Sequence, residues 1–159
     1  MSEGRGGGID TAADPAGAQA SDPSPVIVVM ADDLIWSTRL VDALRRAGAT
    51  PRPARSLADL DARLADADGC LVDLTSRTYE GIDAVAAAVR AGVPMIAVGQ
   101  HDDAALRRAA KDAGAARVFS YRRLFEHGDR DLATWVRSLV PAADGTRPAA
   151  DGASSRGRA

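Results

Sequence analysis

The chain has 159 residues, 46% of them hydrophobic and only 4% aromatic, with 22 acidic against 20 basic side chains and a formal net charge of -2. That length suits one domain with a proper core, and the charge balance offers no basic field for neutralising phosphates, which argues against nucleic-acid binding. No apolar window is long enough to span a bilayer, no apolar signal segment opens the sequence, and a lone cysteine, Cys70, rules out an intramolecular disulfide, so a cytoplasmic location is expected.

Residues 1–25 and 141–159 are built from Gly, Ala, Pro, Ser, Asp and Arg with almost nothing to bury. Such segments cannot recover their ordering entropy and are expected to be disordered. The folded body is expected over 26–140. Within it, "VIVVM" is an unbroken apolar, β-branched run, as expected of a strand buried on both faces. Asp32 and Asp33 follow at once. They could cap the next helix or hold a metal ion, and the local sequence leaves both open.

"WSTRLVDALRRAG" then places Trp36, Leu40, Leu44 and Ala47 on one helical stripe, ended by Gly48. "TPRPAR" carries Pro51 and Pro53, which cannot donate to a ladder, so this strand belongs at a sheet edge. Ser56 opens a helix with Asp59 three positions on, a capping spacing, and Leu57, Leu60, Leu64 and Ala67 form its inner face. "GCLVDL" is the next strand, and Cys70 inside it reads as a small buried hydrophobe. "EGIDAVAAAVRAG" is a helix with Ile82, Val85 and Val89 inward. "MIAVG" is a strand, "DDAALRRAAKDAG" a helix with aspartates at its positive end, and "ARVFS" the last strand. "FEHGDR", with His127, reads as a turn, and "RDLATWVRSLV" closes the body as a fifth helix burying Leu132, Trp135, Val136 and Leu139.

Strict strand–helix alternation implies an α/β fold with a parallel sheet covered on both sides. With right-handed crossovers and the second strand at an edge, the order 2-1-3-4-5 of a flavodoxin-like (βα)5 sandwich is expected. Ligands bind such sheets at the carboxyl ends of the strands, beside the switch point between the first and third. Asp32 and Asp33 end the first strand and Asp73 the third, so three carboxylates converge there. They repel one another unless a cation such as Mg²⁺ takes them as oxygen ligands, and an aspartate beside such an ion could accept a phosphoryl group.

These residues resemble those of the CheY-like receiver domains of bacterial two-component response regulators, over nearly the whole body. The matching features are the acidic pair with Arg39 and Leu40 downstream in "DDLIWSTRLV", Asp73 and Gly81 in "LVDLTSRTYEG", and the Ala-Gly helix end in "LRRAAKDAGAARVF". The resemblance implies Mg²⁺ binding by Asp32, Asp33 and the backbone carbonyl of Thr75, and Asp73 as phosphoacceptor. Two switch positions depart from the family. Gly99 replaces a Thr or Ser hydroxyl, and Tyr121 replaces a Lys ammonium, with Arg122 at the following Pro. Ser76 and Arg77 replace the usual Met-Pro. The only lysine of the chain, Lys111, lies in the fourth helical segment. Arg122 or Arg123 could supply the cation and Ser120 a hydroxyl, although a guanidinium is not interchangeable with an ammonium.

The resemblance therefore implies a diverged receiver or pseudo-receiver. The function expected is a stand-alone signalling module, not an enzyme, that acts through protein–protein contact with a histidine kinase or effector, either independently of phosphorylation or with weak phosphorylation of Asp73. The alternatives are a working Mg²⁺-dependent aspartyl-phosphate switch, or a small-molecule-binding domain needing an apolar-walled pocket near Gly99, Gln100 and His101. His101 in "GQHDD" reads as an exposed loop residue before a helix. No DNA-binding module is expected in residues 141–159, which are few and poor in apolar residues.

Overall fold

The computed structural model describes residues 24–140. The tails expected to be disordered lie outside the described residues, except for Ser24 and Pro25. The β-branched run forms β1 (Val26–Met30), and Asp33 caps α1 (Leu34–Arg46). The proline-bearing strand β2 (Thr50–Ala54) follows, then α2 (Leu57–Leu64), β3 (Gly69–Asp73), α3 (Gly81–Arg90), β4 (Met95–Gly99), α4 (Ala104–Asp112) and β5 (Arg117–Ser120). Two helices end the described chain, α5 (Tyr121–His127) and α6 (Asp129–Leu139).

All strand pairs are parallel and the order is β2-β1-β3-β4-β5. This is the flavodoxin-like arrangement expected from the alternation. β2 lies at an edge, where Pro51 and Pro53 disturb only one ladder. Every residue of the central strands β3 and β4 is buried. Alternate side chains along each strand enter opposite layers. Val28, Met30, Cys70, Val72, Met95 and Ala97 face a core closed by α2, α3 and α4 through Leu60, Val85 and Ala110. Ile27, Val29, Leu71, Ile96, Val98 and Phe119 face the other core, closed by α1, α5 and α6 through Leu40, Leu124 and Trp135.

Local signals behave as their chemistry dictates. The Ser56 hydroxyl accepts from the Asp59 amide at 3.1 Å, and Asp103 accepts from the Leu106 amide at 2.8 Å, each closing a helix N-terminus. Gly48 and Gly92 adopt φ of 90° and 70° directly after their helices, a conformation that costs an L side chain energy.

The segment after β5 differs from its expected course. It is a helix, α5, and not a turn. Ser120 caps it by accepting from the Arg123 amide at 3.2 Å, and Tyr121 and Leu124 anchor it in the core. Val89, expected inward, is 41% exposed, because the inner face of α3 is already filled by Ala84, Val85 and Ala88.

Candidate functional site

The carboxyl ends of β1, β3, β4 and β5 meet at one edge of the sheet. Asp32 and Asp33 lie in the β1–α1 loop, Asp73 is the last residue of β3, and Gly99 is the last of β4. Ladder pairing sets Met30 beside Val72, Asp73 beside Val98 and Gly99 beside Ser120, so Tyr121, the first residue of α5, arrives next to this edge.

Asp73 is 1% exposed. Its Oδ1 accepts from the Thr75 amide at 2.9 Å, from the Thr75 hydroxyl at 2.8 Å and from the Tyr121 hydroxyl. The Thr75 and Tyr121 oxygens are themselves 2.6 Å apart. Two hydroxyl protons thus serve three oxygen–oxygen edges. Each hydroxyl carries one proton, so every arrangement of both within this triangle leaves at least one donated to Asp73. Burial pushes the Tyr121 phenol up from its ordinary value, and the hydrogen bond to Asp73 and that carboxylate's charge push it further. Tyr121 is therefore a neutral donor across the physiological range. Its ring is held by Trp36, stacked at 4.2 Å between centroids and 23° between planes.

A second tyrosine sits beneath the site. The Tyr79 hydroxyl reaches the carbonyl oxygens of Met30 at 2.9 Å and of Asp73 at 2.8 Å, tying the ends of β1 and β3 together. Burial raises its pKa, and the charge of Asp73 adds to that. The loop that delivers it is braced by Ser76, whose hydroxyl accepts from the amides of Thr78 and Tyr79 at 3.0 and 3.1 Å. Gly81 follows where a methyl would lie 2.8 Å from Leu74 Cα and 2.9 Å from its carbonyl oxygen. A close backbone approach, and not a turn, requires glycine there.

The acidic pair divides its duties. Asp33 Oδ1 accepts from the amides of Ile35 at 2.9 Å and Trp36 at 3.0 Å, which makes it the N-cap of α1. Asp32 Oδ2 accepts from the Arg77 amide at 3.0 Å. Burial opposes the charge on Asp32, but hydrogen bonding from Arg77, Ser76 and Thr78 outweighs it and holds the pKa below the ordinary carboxylate value.

These engagements bear on a divalent ion. Asp33, Asp32 and Asp73 each commit an oxygen to a protein donor, and the Thr75 amide and hydroxyl are turned to Asp73. Among the described residues no three His, Cys, Asp or Glu side chains are grouped to hold a metal ion. Each carboxylate keeps a second oxygen outside these bonds, and the Thr75 carbonyl is a different atom from the amide and hydroxyl turned to Asp73, so the engagements are compatible with a divalent ion held by Asp32, Asp33 and Thr75.

The remaining candidates are placed away from Asp73. Arg122 pairs with Glu126 at 3.0 Å and Arg123 with Asp131 at 3.5 Å. Ser120 is a helix cap. His101 and His127 are exposed, and Lys111 is in α4. Burial pushes the Cys70 thiol up to about 12, which leaves it inert. A methyl built on Gly99 would meet Leu74 Cβ at 3.5 Å and Thr75 Cγ2 at 3.9 Å. A side chain at Gly99 would thus stand beside Thr75, whose hydroxyl is already on Asp73. Sequence reasoning missed Tyr79 and the pairing of Trp36 with Tyr121. No periodic pattern marks either contact, because each joins residues far apart in the chain.

No protein-family model matches the chain, and no curated protein matches it in sequence. Solved structures do match. A response regulator receiver domain from Clostridium thermocellum superposes with a TM-score of 0.61 at 16% identity, over 73% of this chain and 94% of that one. A CheY-like receiver domain from Methanospirillum hungatei gives 0.58 at 18%, over 73% and 93%. A response regulator from Burkholderia pseudomallei, solved with a phosphorylated aspartic acid, a calcium ion and citrate, gives 0.59 at 17%, over 72% and 71%. With the strand order and the site at the β1–β3 switch point, these likenesses establish that the chain has the CheY-like response-regulator receiver fold.

Proposed function

We propose that this chain is a receiver-type signalling module that acts by protein–protein contact and is independent of, or only weakly responsive to, phosphorylation at Asp73. The observation that carries this reading is the Tyr121 hydroxyl on Asp73 Oδ1, at the position where the resembling family has a phosphate-pairing lysine. A carboxylate oxygen that attacks phosphorus needs a free lone pair and an approach path. Here Oδ1 is taken up by Thr75 and Tyr121, which leaves only Oδ2, on a side chain that is 1% exposed, to make the attack. A phosphoryl group also brings charge that a cation must offset. Tyr121 is neutral, and Arg122 and Arg123 pair elsewhere.

Under this reading Asp73 is a structural acceptor that fixes Tyr121, and through it the start of α5. The module catalyses no turnover, and its output is a fixed surface read by a kinase-like or effector protein.

The test is incubation of the full chain with Mg²⁺ and acetyl phosphate, followed by intact-mass measurement and amide NMR. The expected result is little or no adduct and unchanged α5 resonances. Under the same conditions, a Gly99→Ser, Tyr121→Lys double variant, which restores a hydroxyl and an ammonium, gains adduct at Asp73. Stoichiometric phosphorylation of the wild-type chain, with movement of the Tyr121 region, would establish the working-switch alternative instead.

A further inference from the structure

The ring of Tyr121 has a second face of interest. Beside α1 and α5 lies an open cleft of about 390 Å³, within the range of small-molecule sites. Its apolar walls are Trp36, Tyr121 and Phe125, and its polar rim includes Arg39, Gln100 and His101. The three rings form a stepped stack, with Trp36 4.2 Å from Tyr121 and 5.7 Å from Phe125, and both interplanar angles are near 20°.

The chemistry of an occupant follows from what already fills each role. A cation has no vacancy over the rings, because the Arg39 guanidinium lies 4.7 Å from the Phe125 centroid and 5.2 Å from that of Trp36. Arg39 itself has no carboxylate within 4.0 Å among the described residues, whereas the other rim arginine, Arg122, is neutralised by Glu126. The cleft thus carries one unbalanced positive charge. That charge is a planar fork suited to bidentate pairing with an oxyanion, and the ring wall beside it suits a flat apolar body. A single free cation falls short of what a polyphosphate would need.

We propose that the α1–α5 cleft binds a small aryl carboxylate, with Arg39 pairing the carboxylate and Trp36, Tyr121 and Phe125 holding the ring. The seat does not depend on whether Asp73 accepts phosphate. Its wall is the residue whose hydroxyl is bonded to Asp73, so occupancy is felt at the sheet edge as well.

The experiment is an NMR titration of the full chain with benzoate, reading the two indole N–H signals of Trp36 and Trp135, with inorganic phosphate as a second arm. Benzoate is expected to move the Trp36 signal saturably in the millimolar range while leaving Trp135 in place. Arg39→Gln, a change at an exposed side chain, weakens that binding by about tenfold or more, and Arg39→Lys falls between. Inorganic phosphate produces no saturable shift. The proposal is overturned if benzoate gives no saturable Trp36 shift, if Arg39→Gln binds as tightly as the wild type, or if phosphate saturates the site as well as benzoate. Thermal melts of both Arg39 variants establish that they are folded, so that a lost shift reports on the site.

Discussion

The β1 side of the sheet edge and the β5 side are built on different principles. On the β1 side, Asp33 accepts from amides at the start of its own helix and Asp32 from the Arg77 amide of the β3–α3 loop, and both residues reach water. On the β5 side, Tyr121 is 7% exposed, stacked on Trp36 and bonded across 48 positions of sequence to Asp73. The first arrangement is polar, water-facing and made of separate hydrogen bonds, each replaceable residue by residue. The second is a packed aromatic cluster in which one ring serves both the core and the buried carboxylate. Substitutions on the two sides should therefore differ in size and in kind.

The largest effect is expected from Tyr121→Ala. It removes a buried ring, strips the stack from Trp36 and takes a donor from Asp73, and should cost about 3–5 kcal/mol in urea unfolding. A loss no larger than that of an ordinary surface change would show that the cluster does not hold α5. Next comes Gly81→Ala, whose methyl meets backbone atoms of Leu74 at 2.8 and 2.9 Å. Backbone cannot yield as a side-chain tip does, so a loss of about 1–3 kcal/mol is expected. Gly99→Ala is the internal contrast, since its nearest neighbours lie at 3.5 Å or beyond. It should change stability by less than about 1 kcal/mol, and a larger loss would mean that β4 needs glycine for a reason other than space.

On the β1 side, Asp33→Ala removes the α1 cap and should cost about 1 kcal/mol, whereas Asp33→Asn, which keeps the accepting oxygen, should recover most of it. If Asn fails to rescue, the charge and not the cap is what matters. The smallest effect is the acid response of Asp32. Its folded pKa is lowered, so the stability it adds is present above the unfolded value, about 3.9, and fades as pH falls through the folded value. Asp32→Asn should flatten the acid limb of the stability curve slightly.

Much of the scaffold was legible because its signals are local. "VIVVM", "GCLVDL" and "MIAVG" read as strands from their unbroken apolar runs, Pro51 and Pro53 pointed β2 to an edge, and Ser56 announced α2 through a cap that the structure contains. The acidic residues were legible as positions but not as roles. Whether Asp33 caps or ligates depends on where its oxygens point, and the backbone of α1 decides that. Helix α5 escaped because seven residues carry too little periodicity to separate a helix from a turn. The Tyr121–Asp73 bond escaped because it is a product of tertiary packing. The resemblance implied that Tyr121 stands where receivers carry a lysine, but not that the tyrosine would bond the aspartate itself.

The ionisation of Tyr121 reports directly on its bond to Asp73. Burial and the Asp73 carboxylate raise both tyrosines. The unfolded chain sheds phenolic protons near pH 10 while the folded chain retains them, so stability should fall as pH rises past that point. The chain has two tyrosines, so ¹³C NMR of the phenolic ring carbons in wild type and in Tyr79→Phe separates their titrations. Tyr121 is expected to stay protonated up to the pH at which the fold itself gives way. A Tyr121 that titrates near 10 in the folded protein would place its hydroxyl in water, away from Asp73, and contradict the central claim.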